Sequence, residues 1–550
     1  MSIKKTFQAF SFAALFAMGG VGGCGDKGGG ELGHGPGAGG GKGDSSAIAT
    51  FLTFEFDGSV DTDSAWNQRS VIDDQLLFTI GHLNGNSSVG RLDKVEITNV
   101  QQAMVDGKTR ISYHARLPVA WGSKTDLPTT YEFSLPRDMS YAAKQAFTEK
   151  YKHDCVDWGA HDVDTGSMWY YYRPAKSDCR LDAADVMKFA AKATLSPTNS
   201  KGTYPEYDKV WEDDKLNALL IFGKFEDGST TDADAGIAGF NSFVRTTKNA
   251  FPGITTVPAD VSDKPGIATP DVTFNLDLGD GKSLQITALL VDNVRTSDPH
   301  FNERYEALST RADMIAYNGH AGLGDNVRAL ARKGKFVAEQ YLIMFMNGCD
   351  TFAYVDGYMA EARGKLNPED KTGTKYLDIV TNAMPAFFSN MPTSSLALIR
   401  ALSKWKQPMN YEQIFGGIDS SQVVLVTGDE DNVYKPSTGG SSGGGAFAMR
   451  EEASVGKGEM LEFSTPELPV GSYLVRIAQS QSQPGGDADL YVKVGSKPSD
   501  ASYDCRPYKE GSDEECRVKL TSAAKIFMSV KGYASSESHF VLTADPDATR

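Results

Sequence analysis

From about residue 215 to residue 430 short apolar runs alternate with helix-length amphipathic segments, and no other feature of this 550-residue chain narrows its fold as much. The runs at 217–222, 314–317, 341–346 and 423–426 are almost wholly apolar, which is the pattern of strands buried on both faces. Helical spacing fills 233–250, 299–310, 326–332, 353–363, 384–389 and 394–405, and Phe251, Pro252 and Gly253 stop the first of these. Residues 272–276 and 283–291 flank Gly279, Asp280 and Gly281, the residue types of a hairpin turn. Strand followed by helix, repeated, predicts a mostly parallel sheet covered by helices on both faces.

Two of the predicted strands end in reactive side chains. Asn318, Gly319 and His320 close the run at 314–317, and Asn347, Gly348 and Cys349 close the run at 341–346. In parallel sheets that C-terminal edge is where ligands and chemistry collect. A thiol is a few per cent thiolate at neutral pH, and a nearby imidazole can lower its pKa or take its proton. A glycine beside the histidine lets a substrate carbonyl approach backbone N–H groups closely. Each residue also has a plainer role open to it. A lone cysteine ending an apolar strand serves as a small buried hydrophobe, and a lone histidine as a hydrogen-bonded structural residue.

The other five cysteines leave Cys349 unpaired on this reading. Cys24 ends an export signal: Lys4 and Lys5 precede an apolar stretch from about residue 9 to 18, and Val21, Gly22, Gly23 and Cys24 resemble a bacterial lipobox, which implies lipidation of Cys24. The stretch is too short to span a bilayer. Cys155 and Cys179, and likewise Cys505 and Cys516, lie in polar, turn-rich sequence of an exported chain and read as disulfides.

Glycine-rich breaks at 25–45 and 436–445 cannot bury a core and read as a tether and a linker. With the signal segment at 1–24, they delimit a β-rich domain with some helix at 46–205, the α/β domain at 206–435 and a C-terminal domain at 446–550. Alternating runs at 51–56, 94–97 and 109–114 mark the first of these as β-rich, with helical patches near 140–151 and 182–193. The net charge of −16 disfavours nucleic acid and anionic lipid as partners, since both need basic surface. Membrane contact is then expected through the N-terminal lipid alone, at the bacterial cell envelope and outside the cytoplasm, by a monomer.

A strand ending in a glycine-flanked histidine, then a helix, then a strand ending in a cysteine resembles the caspase-like cysteine peptidases, which include caspases, gingipains and legumains. The resemblance covers roughly 215–430 and implies a three-layer α/β sandwich. It also implies Cys349 as nucleophile, His320 as its acid/base partner, and the N–H groups of Gly319 or Gly322, with that of Cys349, as oxyanion-hole donors. The chain departs from the family pattern at Ala321, which separates His320 from Gly322, and at Gly348, where alanine is usual. Residues 447–546 resemble the bacterial pre-peptidase C-terminal domain, a small β-sandwich appended to many secreted peptidases. The resemblance is carried by Gly486, Asp487, Ala488, Asp489, Leu490, Tyr491 and Val492, by Gly495 to Pro498, by Tyr503 to Tyr508, by Cys516, and by Lys531, Gly532 and Tyr533.

No zinc, nucleophile-elbow, phosphate-loop or dinucleotide motif stands in a supporting context, so neither a catalytic metal nor a cofactor is expected. Asp57 to Asp63, His161 to Asp164, Asp429 to Asp431, and Asp487 with Asp489 offer oxygens to calcium as a structural ion; acidic turn residues equally serve as solvated or capping groups. Trp169 to Tyr172, between the first two paired cysteines, form either a binding surface or core packing. Two functions follow as expectations. One is a lipid-anchored cysteine endopeptidase acting on protein or peptide. The other is a non-catalytic surface lipoprotein whose β domains bind protein or polysaccharide over a degenerate caspase-like body.

Overall fold

The computed structural model describes residues 44–63, 66–160, 163–354, 357–436, 449–465, 467–479, 485–509 and 511–546. The signal segment, Cys24, most of the tether, His161 and most of the linker lie outside the described residues. Two compact units part between Lys435 and Pro436.

The larger unit contains two sheets. The first joins β2 (Thr50–Thr62), β3 (Val89–Gly90), β4 (Glu96–Val105), β5 (Lys108–Trp121), β6 (Thr130–Pro136) and β7 (Val186–Leu195) in the order β3-β5-β2-β7-β6, with β4 also on β5, and every pairing is antiparallel. Helix α1 (Gln68–Asn84) packs on this sheet, starting where the Asn67 side chain accepts the Ser70 N–H and burying Ile72, Leu76, Ile80 and Leu83. Gln75, at its centre, donates to the carbonyls of Ser59 and Pro136 and accepts from the Tyr113 hydroxyl, so its buried amide is fully used. The helix α2 (Tyr141–Tyr151) and the short helix α3 (Met168–Tyr171) complete the layer. At Gly81 an added Cβ would lie 2.4 Å from the Trp169 carbonyl oxygen, so only glycine lets α1 and α3 approach this closely.

The second sheet has nine strands in the order β1-β15-β14-β13-β12-β8-β11-β10-β9. These are β1 (Asp44–Ser46), β8 (Lys215–Gly223), β9 (Thr255–Val257), β10 (Asp271–Gly279), β11 (Lys282–Val291), β12 (Met314–Asn318), β13 (Leu342–Asn347), β14 (Leu377–Asn382) and β15 (Val424–Thr427). The five central strands, from β14 to β11, are parallel to one another; on one side β15 pairs antiparallel with β14 and β1 with β15, and on the other β10 pairs antiparallel with β11 and β9 with β10. The sheet is therefore mixed rather than mostly parallel, because the β10–β11 hairpin and the returning β15 close both flanks. Alternate residues of β8 feed opposite layers. Leu220 and Phe222 pack with α4 (Tyr207–Val210), α5 (Ala235–Ala250), α9 (Met391–Leu402) and α10 (Tyr411–Phe415), while Leu219 and Ile221 pack with α6 (Pro299–Ser309) and α7 (Asp325–Lys333). The helix α8 (Tyr358–Leu366) joins the second layer through Met359.

Three expected helices differ. Residues 182–193 contribute to strand β7, where Phe189, Ala191 and Ala193 face inward and Lys188, Ala190 and Lys192 outward. Alanine and lysine favour helix intrinsically, but the period of two prevails once the sheet buries one face. Residues 384–389 form no helix; Pro385 lacks an N–H to donate there. The helix expected at 353–363 is a 3₁₀ turn, Thr351–Tyr354, followed by α8.

The smaller unit is a β-sandwich. A four-stranded sheet ordered β16 (Met449–Val455), β22 (Ser538–Pro546), β18 (Gly471–Gln479) and β20 (Glu514–Leu520) faces a three-stranded one ordered β17 (Met460–Ser464), β21 (Ile526–Gly532) and β19 (Ala488–Val494). Val475, Ile477, Leu490, Val492, Met528, Val530 and Leu542 form its core, and Cys505 and Cys516 are disulfide-bonded.

Candidate functional site

The two reactive residues leave the sheet side by side. Strands β12 and β13 are adjacent and parallel with Asn318 paired to Asn347, so His320 and Cys349 each stand two residues beyond a matched pair. Gly348 lies tightly against the loop after β12: an added Cβ would come within 2.8 Å of the Gly319 carbonyl oxygen. Both side chains meet one short segment. The His320 ring packs on Phe388 at 5.2 Å and on Phe225 at 5.0 Å, and Cys349 Sγ lies 3.5 Å from the Ala386 carbonyl oxygen.

His320 Nε2 is 3.1 Å from the Phe225 carbonyl oxygen, which can only accept. That contact places the ring proton on Nε2 and leaves Nδ1, buried and without a partner, as the basic nitrogen. The loop that follows places Ala321 in a right-handed conformation and Gly322, Leu323 and Gly324 at φ of 61°, 48° and 87°. A right-handed residue followed by a left-handed one turns successive N–H groups toward a common concavity, as anion-binding backbone does. Gly322 is thus placed among such donors, whereas the Gly319 N–H is used at 3.3 Å on the Asn347 carbonyl and is not available to an oxyanion.

Below the two loops lies a ladder of buried amides. Asn347 Nδ2 donates to Asn318 Oδ1 at 2.9 Å and to the Met391 carbonyl at 3.2 Å. Asn347 Oδ1 accepts from Asn382 Nδ2 at 3.1 Å and from Gln422 Nε2 at 2.8 Å. Asn382 Nδ2 also reaches the Gly348 carbonyl at 3.0 Å, and Ser395 Oγ caps the row by donating to Asn318 Oδ1 at 2.8 Å. All four amides are buried. Asparagines at 318 and 347 stand next to the candidate residues in the sequence, but the participation of Asn382 and Gln422 leaves no local signal.

Cys349 is 4 % exposed, in one hydrophobic cluster with the first sheet. The Phe352 ring meets Phe51 at 5.9 Å and lies under the Arg91 guanidinium at 5.4 Å. The next residue, Asp350, takes φ of 49° and is buried, with Oδ1 accepting from Asn84 Nδ2 at 2.8 Å. Burial pushes its carboxyl up to about 7 despite that amide and the nearby Arg173. The expectation of an unpaired Cys349 is corrected: Cys349 is disulfide-bonded, as are Cys155 with Cys179 and Cys505 with Cys516, and no described cysteine is free. Its nucleophilic form exists only after reduction.

The remaining candidates are placed as follows. Trp169, Tyr170, Tyr171 and Tyr172 are buried in the core of the first sheet. Asp57 meets His114 at 2.8 Å, Asp61 meets Arg110 at 2.7 Å, Asp63 meets Lys108 at 2.7 Å, and Asp489 meets Arg506 at 2.9 Å, so each of these carboxylates already has a side-chain partner. Asp429 accepts from Ser200 and Thr203. Among the described residues no three His, Cys, Asp or Glu side chains are grouped to hold a metal ion. A cavity of about 690 Å³ opens on the first sheet, lined by Asp57, Ser59, Gln101, His114, Arg137 and Lys188 among others.

Comparison with known proteins bears on the smaller unit. The family model of the bacterial pre-peptidase C-terminal domain matches residues 463–532. The virulence metalloprotease of Vibrio anguillarum is 52 % identical over 50 residues, and the neutral protease of Vibrio proteolyticus 50 % over 50 residues; each match covers 9 % of this chain and 8 % of the relative. The chain thus spans less than a tenth of the length of these relatives, which share only this domain with it. The pre-peptidase C-terminal domain of the Bacillus anthracis collagenase is 11 % identical, covers 18 % of this chain and 87 % of its own, and has a TM-score of 0.15, too low to carry an argument. The family match together with the antiparallel sandwich identifies the C-terminal unit as a bacterial pre-peptidase C-terminal domain.

Proposed function

We propose that this chain is a secreted cysteine endopeptidase with a caspase-like body, in which reduced Cys349 attacks the peptide carbonyl and His320 carries the proton. The observation that carries this reading is the register of β12 and β13, whose paired Asn318 and Asn347 precede the histidine and the cysteine by two residues each. The imidazole held by Phe225 through Nε2 keeps Nδ1 available to take the thiol proton. Sulfur bonds to the carbonyl carbon and the carbonyl electron pair moves to oxygen. Collapse expels the amine, which takes the proton from His320, and water then hydrolyses the thioester with His320 as base. The pre-peptidase C-terminal domain supports a protease-associated role outside the cytoplasm, because the matched relatives are proteases.

Hydrolysis of a mixed peptide library by the purified, reduced protein tests this reading. Cys349→Ala is expected to abolish cleavage and His320→Ala to lower it by at least ~10³-fold, as for other dyad members. Equal cleavage by wild type and Cys349→Ala would sink the proposal. A second reading, a non-catalytic surface protein that binds protein or polysaccharide, is favoured by the burial and disulfide of Cys349 and by the open cavity beside His114. Wild-type protein that cleaves nothing and binds glycan or protein through that cavity, with binding lost in His114→Ala, would establish it instead.

A further inference from the structure

We infer that Asn382 is a positioning residue that aims the Cys349 backbone N–H at a substrate oxyanion, an inference resting on the peptidase reading above. A trans peptide unit points its C=O and N–H in opposite directions, and among the described residues the only cis bond precedes Pro258. Asn382 Nδ2 holds the Gly348 carbonyl at 3.0 Å from the β14 side. The N–H of the same Gly348–Cys349 peptide is therefore directed away from β14, toward β12, the strand from which the His320 loop leaves the sheet. That is the geometry a thioester-forming site needs: donors fixed before the negative charge appears.

The amide is itself held. Its Nδ2 also bonds Asn347 Oδ1 at 3.1 Å, its Oδ1 accepts from Gln422 Nε2 at 3.4 Å, and its main-chain N–H donates to Thr351 Oγ1 at 2.9 Å. Asn382, Gln422 and Asn347 are fully buried, so no water competes for these bonds. A carboxylate or alanine at 382 would remove the donor to Gly348 and release that peptide to rotate. The contact is made one residue before the nucleophile, by a residue 34 positions further along the chain.

The test separates oxyanion formation from thiol reactivity in the same reduced protein. In Asn382→Ala and the near-isosteric Asn382→Asp, kcat for peptide hydrolysis is expected to fall by about 10- to 100-fold with KM within about twofold, below the full loss of a donor. Affinity for a peptide aldehyde, whose adduct with sulfur develops the same oxyanion, falls in parallel. Alkylation of Cys349 by iodoacetamide, a displacement of iodide that forms no oxyanion, stays within about twofold of wild type with the same pH profile. Gln422→Met, which removes only the support behind Asn382, gives the same pattern in smaller measure and serves if the first variants do not fold. The inference is overturned if folded Asn382 variants keep wild-type kcat, or if alkylation falls in step with hydrolysis, which marks general loosening. Wild-type protein that neither hydrolyses peptides nor binds the aldehyde overturns the underlying peptidase reading, and this inference with it.

Discussion

The two ends of the nine-stranded sheet are both polar and both buried, yet they are built from different chemistry. At the end where β12, β13 and β14 finish, Asn318, Asn347, Asn382 and Gln422 bond one another and the main chain. At the opposite end, Asp44, Asp378, Asp429 and Asp431 come together around β1, the start of β14 and the end of β15. Amides carry both a donor and an acceptor and can satisfy one another when dry. Ionised carboxylates are acceptors only, so burial and mutual repulsion drive them toward the protonated form. Burial pushes Asp44 and Asp431 up to about 6 and Asp429 up to about 7, and holds Asp378 well above the usual carboxylate range. Oδ1 of each of these four remains without a hydrogen-bond partner, against Nδ2 of Asn318 alone in the amide row. One end fixes geometry independently of pH; the other is tuned by it.

The largest effect that follows is at Asn347, which joins three strands. Replacing it with alanine removes four hydrogen bonds and strands the Gln422 and Asn382 donors in a dry site. At about 1–3 kcal/mol for each buried group left unsatisfied, a loss of about 4 kcal/mol in denaturant unfolding of the larger unit is expected. A cost below about 1 kcal/mol would show that the amides can part without consequence, and the contrast between the two ends would collapse.

The carboxyl end predicts a pH dependence of definite sign. Asp44, Asp429 and Asp431, with Asp350 beside the candidate nucleophile, hold protons more tightly folded than unfolded. Their contribution is fully present below about pH 4, where the unfolded carboxyls also bind protons, and is lost as pH rises through 6 to 7. The larger unit is expected to lose about 3 kcal/mol of stability between pH 4.5 and pH 7.5, an allowance well below the sum of the separate shifts since neighbouring carboxyls titrate together. Denaturant unfolding at a series of pH values checks this, and stability that rises across the same interval would contradict it.

How much of this was legible in the sequence depends on whether a residue's partners are local. The alternation of period two and period 3.6 gave β8, β12, β13 and β15 and the helices α5, α6, α7 and α9, because each burial pattern is written within one segment. Helix α1 was invisible for the opposite reason: sheet, α3 and the Cys349 loop bury it on several sides, so its apolar residues mark no single face. Strand β14 went unread because Asp378 and Asn382 interrupt its apolar run, and those two residues are where the carboxyl end and the amide ladder meet one strand. His320 and Cys349 could be read as candidates from their glycine and asparagine neighbours. That Cys349 is buried against the first sheet depends on Phe51, Asn84 and Arg91, some 260 to 300 positions away, and no local pattern records such a contact.

Asp378 offers the finest test of the comparison, since it marks the carboxyl end of β14, the strand that carries Asn382 of the amide ladder at its other end. Its Oδ2 accepts from the hydroxyls of Tyr341 and Tyr411 and from Asn432 Nδ2 at 2.7 Å, and burial favours the neutral carboxyl. A neutral amide of the same shape keeps an oxygen for those three donors. Asp378→Asn is therefore expected to change stability by less than about 1 kcal/mol at pH 5, and to flatten the decline toward pH 7.5 because one buried proton no longer enters the balance. A loss of several kcal/mol at pH 5 would mean that the carboxylate is ionised and held by its three donors. Asp378 would then be as fixed as the amides, and the pH dependence would have to arise from Asp44, Asp350, Asp429 and Asp431.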